Sequence, residues 1–312
     1  MAGPPLITGA AGFAGSHLLD LLVEDQDVVH AWFNPAGRKP LNRDPRIRWR
    51  AVDLLDRAAV EHALHEAPPS IVYHCAGIAD VQQSWRAPAR ALEVNVLGTH
   101  HLLEAAARLD FPGRVLVTGS AAVYARSSGP LTEEDPLAPI GPYAVSKLAQ
   151  EMAAMRSGVD VVLARPFNHA GPRQDDMYVT STFARQIANI ERGVGEPVMR
   201  VGNLDAQRDI TDVRDVVRAY RDLAHRGAVR TPYNVCRGQT YRVGDLLNAL
   251  LSLASVGVEV RDDPSRLRPS DNPVVLGSHD RLTRDTGWTP AIPIERTLAD
   301  ILDYWRTQPA AA

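Results

Sequence analysis

Leu6-Ile7-Thr8-Gly9-Ala10-Ala11-Gly12-Phe13-Ala14-Gly15 decides the fold. A short apolar run meets three glycines spaced three apart, and a helical pattern over 17–23 follows at once. Glycines at such a junction let the backbone approach a pyrophosphate, which then rests on the helix N-terminus. A glycine triplet alone is a weak signal, because glycine turns are common. Its place at the first strand–helix junction of an alternating chain gives it weight.

That alternation fills the first half. Apolar runs at 6–8, 28–33, 47–52, 71–75 and 115–118 are separated by helical patterns at 17–23, 60–66 and 91–108. The order predicts an α/β fold, a Rossmann-type doubly wound parallel sheet that binds ligands beyond the carboxyl ends of its strands. After Pro166 the rhythm loosens. Loops with Pro and Gly at 171–173, 193–197 and 263–273 separate helical patterns at 182–191, 213–224 and 243–253. The expected division is a dinucleotide-binding domain over 1–165, to which 212–236 returns. A smaller C-terminal α/β region over 166–211 and 237–312 would bind the substrate.

Composition narrows the function classes. Of 312 residues, 45% are hydrophobic and 23% charged, which is ordinary for a globular protein with ample core. A formal net charge of -3 gives no basic footprint for nucleic acid. No apolar run reaches the ~18 residues of a membrane span, and no signal-peptide pattern precedes the first strand. Two cysteines, Cys75 and Cys236, are too few for a disulfide framework and point to a reducing, cytoplasmic setting. His100, His101 and His169 lack ligand spacing, so no metal site is expected.

Tyr143-Ala144-Val145-Ser146-Lys147 carries the chemistry. On a helix, residues four apart share a face with Cβ atoms ~5–6 Å apart. A free tyrosine titrates near ~10, and a neighbouring ammonium stabilises its phenolate. Only two of the 34 basic side chains are lysine, so a Tyr-x-x-x-Lys match arises by accident only about one time in twenty. Ser120, just past the strand at 115–118, offers a hydroxyl for a substrate oxygen.

The second strand ends in Asn34 rather than in the carboxylate that holds a ribose 2′-OH, and Arg38 and Lys39 follow. Two cations with no repelling carboxylate favour a 2′-phosphate, hence NADPH over NADH. A solvated basic loop reads the same way. Asp53, after the third strand, suits either an adenine contact or a cap on the helix that starts near Asp56.

Gly9, Gly12 and Gly15, Asn95 in a helix, Ser120 and the Tyr143/Lys147 pair together resemble the extended short-chain dehydrogenase/reductase family over nearly the whole chain. The resemblance implies Ser120, Tyr143 and Lys147 as the catalytic trio. It implies a cofactor site that includes Phe13, Ala14, Leu54, Ala76, Gly77, Asn95 and Pro166. It also implies a homodimer through helices near 88–108 and 141–156.

The second half is similar to one branch, the GDP-4-keto-6-deoxymannose reductases that make GDP-D-rhamnose. The similar stretches are Ala164-Arg165-Pro166-Phe167-Asn168-His169-Ala170-Gly171-Pro172, the run from Val201 to Asp209, and Leu267-Arg268-Pro269-Ser270-Asp271. By that likeness Ser84, Asn168, Val179, Asn203, Arg208 and Arg268 face a GDP-sugar. Arginine forks suit phosphate oxygens; ion pairs with nearby aspartates are the plainer reading of Arg208 and Arg268.

Three departures bear on the reading. The related dehydratases carry a glutamate just after the catalytic hydroxyl residue, where Ala121 and Ala122 stand here, and alanine does no acid–base work. Arg173 stands where the similar reductases have glycine, and the helix after Lys147 reads about one turn short. The expected reaction is therefore NAD(P)H-dependent reduction of a C4 ketone. The rival readings are a 4-epimerase with tightly held NAD, a GDP-mannose 4,6-dehydratase, and a non-catalytic dinucleotide sensor, which has no need of the Tyr143/Lys147 pair.

Overall fold

The computed structural model describes residues 3–264 and 272–309. β1 (Leu6–Thr8) runs into α1 (Phe13–Asp25), followed by β2 (Val29–Phe33), β3 (Ile47–Ala51), α2 (Arg57–Glu66) and β4 (Ile71–His74). Short α3 (Val81–Arg86) and α4 (Pro88–Leu92) lead through a π-helical turn, Glu93–Leu97, into α5 (Gly98–Arg108). Then come β5 (Arg114–Thr118), α6 (Gly141–Met155), β6 (Asp160–Pro166), β7 (Asn168–Ala170) and α7 (Val179–Glu191). The remainder comprises β8 (Val198–Val201), β9 (Gln207–Asp212), α8 (Val213–Arg226), β10 (Pro232–Val235), β11 (Thr240–Arg242) and α9 (Val243–Ser252). It closes with β12 (Glu259–Asp262), β13 (Val274–Val275), α10 (Asp280–Thr286) and α11 (Ile294–Thr307).

Seven strands form one sheet in the order β10-β6-β5-β4-β1-β2-β3, and every pairing in it is parallel. The inner strands are largely apolar on both faces because helices cover both. One face packs Leu18, Leu19 and Leu22 of α1 with Val216, Tyr220 and Leu223 of α8. The other packs Val60 and Leu64 of α2 with Leu102 and Leu103 of α5. Chain order reverses between β1 and β4, so the cleft opens beyond the ends of these two strands, beside Gly9 and Ala76.

A second core joins α7, α9 and α11 through Phe183, Ile187, Leu246, Leu250, Leu298 and Ile301. Small strands hold this region together. β9 pairs with β7, β11 and β13, and β8 pairs with β12. The stretch around α10 belongs elsewhere than the sequence reading had it. Leu282 and Trp288 are buried in the core of the large sheet, and Trp288 Nε1 donates to the Asp215 carbonyl at 3.0 Å.

The helical pattern at 91–108 is not one α-helix. The π-turn inserts an extra residue where Asn95 falls and turns that side chain fully inward. Such bulges recur at functional sites.

Candidate active site

The glycine turn forms between β1 and α1 as expected. Gly9 has φ +68, and a Cβ there would lie 2.7 Å from Ala76. A Cβ on Gly15 would lie 2.2 Å from the Gly9 carbonyl oxygen. Any side chain at either position would push apart the strand ends and the helix that a pyrophosphate needs close together. Phe13 and Ala14 open α1. The Phe13 ring stacks on His169 with centroids 5.6 Å apart, joining the glycine turn to β7.

The three expected catalytic side chains converge. Ser120 follows β5, is largely buried, and its Oγ accepts from Ala122 N at 3.1 Å. The Tyr143 phenol is hydrogen-bonded to Ser120; burial pushes its pKa up, and the Ser120 contact opposes that only in part. The sequence reading has Lys147 lowering this phenol. Burial dominates instead, and Lys147 directs two N–H groups elsewhere, to the Thr118 carbonyl and Gln150 Oε1, each at 2.9 Å. Burial holds Lys147 itself down at about 8. A protonated phenol at neutral pH is the form that donates a proton.

Other expected cofactor residues divide. Gly77 and Pro166 lie at the carboxyl ends of β4 and β6, on the cleft side. Asn95 is fully buried. Its Oδ1 accepts from Ile78 N at 2.8 Å and its Nδ2 donates to Ser146 Oγ at 2.9 Å, so it braces the Gly77 loop against α6 rather than offering free groups to a ligand. The Leu54 side chain is buried in the sheet core, and its carbonyl meets His101 Nδ1 at 2.9 Å. Asp53 Oδ1 accepts from Leu55 N, while Asp56 caps α2 through Ala59 N.

The basic loop is exposed, and its two cations part company. Arg38 reaches Asp175 at 2.7 Å, bridging to the loop before α7, whereas Lys39 donates to the Pro35 carbonyl at 2.9 Å. Asn34 Oδ1 accepts from Ala36 N and shapes the turn.

On the substrate side, Asn168 is exposed on β7, and Asn203 is exposed with its Oδ1 accepting from Asp205 N. Arg208 lies on β9 and donates to the Gln207 carbonyl at 2.9 Å. Ser84 is buried and donates to its own helix at the Val81 carbonyl. Val179 is partly exposed at the start of α7. Arg268 lies outside the described residues.

Tyr178, directly before Val179, was not singled out in the sequence. Burial raises this phenol to about 12, and Tyr143, Asp80 and Asp175 reinforce the shift, so it stands close to Tyr143. Its OH lies 3.4 Å from the Ala79 carbonyl. An aromatic residue directly before an amphipathic helix was the available signal.

Ala121 and Ala122 form a short 3-10 turn just past Ser120, with Ala122 exposed. Among the described residues no cluster of His, Cys, Asp or Glu is arranged to hold a metal ion, and no helix is long and apolar enough to cross a membrane.

The sequence model of the GDP-mannose 4,6 dehydratase family matches residues 6–301. A GDP-6-deoxy-D-mannose reductase of Pseudomonas aeruginosa is 37% identical over 309 residues, covering 97% of each chain. The solved structure of RMD from Pseudomonas aeruginosa, complexed with NADPH, superposes with a TM-score of 0.86 at 36% identity, covering 98% of this chain and 99% of that one. A UDP-glucose 4-epimerase of Thermotoga maritima, solved with UDP-glucose, superposes at 0.87 with 27% identity, covering 97% and 98%. The chain belongs to the GDP-mannose 4,6-dehydratase family of extended short-chain dehydrogenases/reductases.

Proposed function

We propose that this chain reduces the C4 ketone of a GDP-4-keto-6-deoxyhexose, of the GDP-4-dehydro-6-deoxy-D-mannose to GDP-D-rhamnose type, with NADPH. The observation that carries this reading is a complete Ser120–Tyr143–Lys147 trio beside two alanines. The trio does redox proton chemistry, and the alanines leave no acid or base for eliminating water. The 37% identity to a GDP-6-deoxy-D-mannose reductase supports it.

When bound, NADPH supplies hydride to the carbonyl carbon. Tyr143 gives its phenolic proton to the forming alkoxide, so the ketone becomes an alcohol with one added hydride and one added proton. Ser120 donates a hydrogen bond to the same oxygen. Lys147 stabilises the tyrosinate left behind and holds a ribose hydroxyl. Donors aimed at the developing charge supply much of the rate. Asn203, Arg208 and Asn168 hold the GDP portion, and Arg38 meets the 2′-phosphate.

In this reading two copies pair through α4–α5 and α6. Leu92, Leu97, Val145 and Met152 expose apolar surface there, each more than two-fifths accessible, and burying that surface against a second copy stabilises the pair. The free thiols Cys75 and Cys236 fit a reducing, cytoplasmic setting.

Incubation with a panel of GDP-, UDP- and dTDP-4-keto-6-deoxyhexoses and NADPH tests the function. One NADPH oxidised per GDP-ketosugar consumed is expected. Interconversion of sugars without net cofactor oxidation would make the chain a 4-epimerase instead.

A further inference from the structure

Lys147 sits at one end of a row of buried polar side chains. Its Nζ donates to Gln150 Oε1 at 2.9 Å. Gln150, fully buried, donates from Nε2 to Thr99 Oγ1 at 2.8 Å. Thr99 gives its only hydroxyl proton to the Asn95 carbonyl at 2.7 Å, so its oxygen must accept from its other neighbour, His74 Nε2, at 2.8 Å. His74 is thereby the Nε2–H tautomer, and its Nδ1 accepts from Thr8 Oγ1 at 2.7 Å. Thr8, His74, Thr99 and Gln150 are all shut off from solvent. Burial pushes His74 down to about 3, so the row keeps one hydrogen-bonding state at any working pH.

These directions constrain the amide. With Thr99 and His74 fixed, Gln150 cannot flip, and its carbonyl oxygen must face the ammonium. An ammonium has three donors. Thr118 and Gln150 take two. The third has no protein acceptor among these bonds, and Gly77 lies beside it, where a Cβ would come 3.4 Å from Lys147 Nζ.

We propose that Gln150 is a positioning residue for the reduction: its carboxamide, locked by Thr99, His74 and Thr8, aims Lys147 and sustains its charge. This rests on the assignment of Lys147 to the catalytic trio. The titratable groups facing Lys147 are Cys75 and His74 from β4 and Tyr143 one turn back on α6. Cys75 is pushed up to about 12 and stays a thiol, and His74 stays neutral, so neither supplies a countercharge. An oxygen acceptor on the ammonium favours the charged form, against the burial that holds Lys147 at about 8. Losing that acceptor lowers the lysine further and brings forward the alkaline loss of activity.

The test compares Gln150→Leu, Gln150→Glu and Lys147→Met by kcat against pH, with thermal melting as a check on the fold. Gln150→Leu should lower kcat about tenfold, the worth of one charge-assisted hydrogen bond. Its alkaline limb should move to lower pH by about one unit. Gln150→Glu should recover much of kcat and move the limb to higher pH, because a carboxylate favours the ammonium. A normal kcat and limb in Gln150→Leu would overturn the proposal. So would a limb that moves to lower pH in Gln150→Glu, the variant that decides if the leucine form does not fold. Lys147→Met should be inactive; substantial turnover there would overturn the trio itself, and with it any role for Gln150.

Discussion

In the proposed reaction Tyr143 is the side chain on which the chemistry turns, and burial, which raises its pKa and keeps the phenol protonated, suits a proton donor. Tyr143→Phe should lower turnover at least about a hundredfold, the low end of general-acid contributions. NADPH affinity, followed by fluorescence titration, should stay within a few-fold. The Arg38–Asp175 ion pair leads to a sharper expectation for the cofactor. A 2′-phosphate must compete with Asp175 for the same guanidinium. Asp175→Asn should therefore tighten NADPH and leave NADH unchanged. Arg38→Ala with Lys39→Ala should weaken NADPH far more than NADH. Equal changes for both cofactors would reduce the loop to a solvated basic stretch. The trio was legible in the sequence because few residue types do this chemistry and their spacing is fixed by a helix. Gln150 and Thr99 were not. A buried amide and a buried hydroxyl have no signature until packing closes around them.

Loops that join the two regions are held by specific contacts. Arg173 has φ +71, in the left-handed region that glycine adopts freely, so the backbone here favours glycine over arginine. Its guanidinium compensates by donating to His17 Nδ1 at 2.7 Å and to Asp20 at 2.6 Å. Arg173→Gly relieves about 1–2 kcal/mol of backbone strain while losing those contacts, so its melting temperature should stay near that of the parent. Arg173→Ala keeps the strain and loses the contacts, and should melt several degrees lower. The turn between β8 and β9 presents Asn203, with Arg208 following on β9. By calorimetry GDP should bind more tightly than UDP or dTDP by about tenfold, or 1.4 kcal/mol. Asn203→Ala should narrow that gap, while Arg208→Ala should weaken GDP and UDP alike. Five strands of the large sheet, β1 to β5, were legible because buried parallel strands read as apolar runs, whereas β6 and β10 were not read as strands. Strands of two or three residues such as β7, β11 and β13 carry no such signal, and a π-turn inside a helical pattern leaves the apolar periodicity almost unchanged.

Proton binding by the whole fold sets its pH stability. Burial, helped by Arg173, holds His17 at about 4, and burial holds His74 at about 3, against an ordinary 6.5. Between pH 6.5 and about 4 the unfolded chain binds these protons and the folded chain does not, so stability falls as pH falls. For His17 the loss is roughly 3 kcal/mol over that window, with a comparable amount from His74. Asp209 works the other way. Its carboxyl is raised to about 6 by burial, so below pH 6 the fold gains protons there and recovers part of the loss. Urea midpoints should decline from pH 7 to pH 5, and His17→Gln should flatten the decline. A midpoint independent of pH would mean that these imidazoles are not buried as described. The reaction itself is tested most directly by isotope transfer. NADPH carrying deuterium at the transferable position is incubated with GDP-4-keto-6-deoxymannose, and the product is examined by NMR. The proposed reduction requires one deuterium at C4 of a GDP-6-deoxyhexose for each NADPH oxidised. An unlabelled product formed without net oxidation of cofactor, or conversion of GDP-mannose to its 4-keto-6-deoxy form, would contradict it.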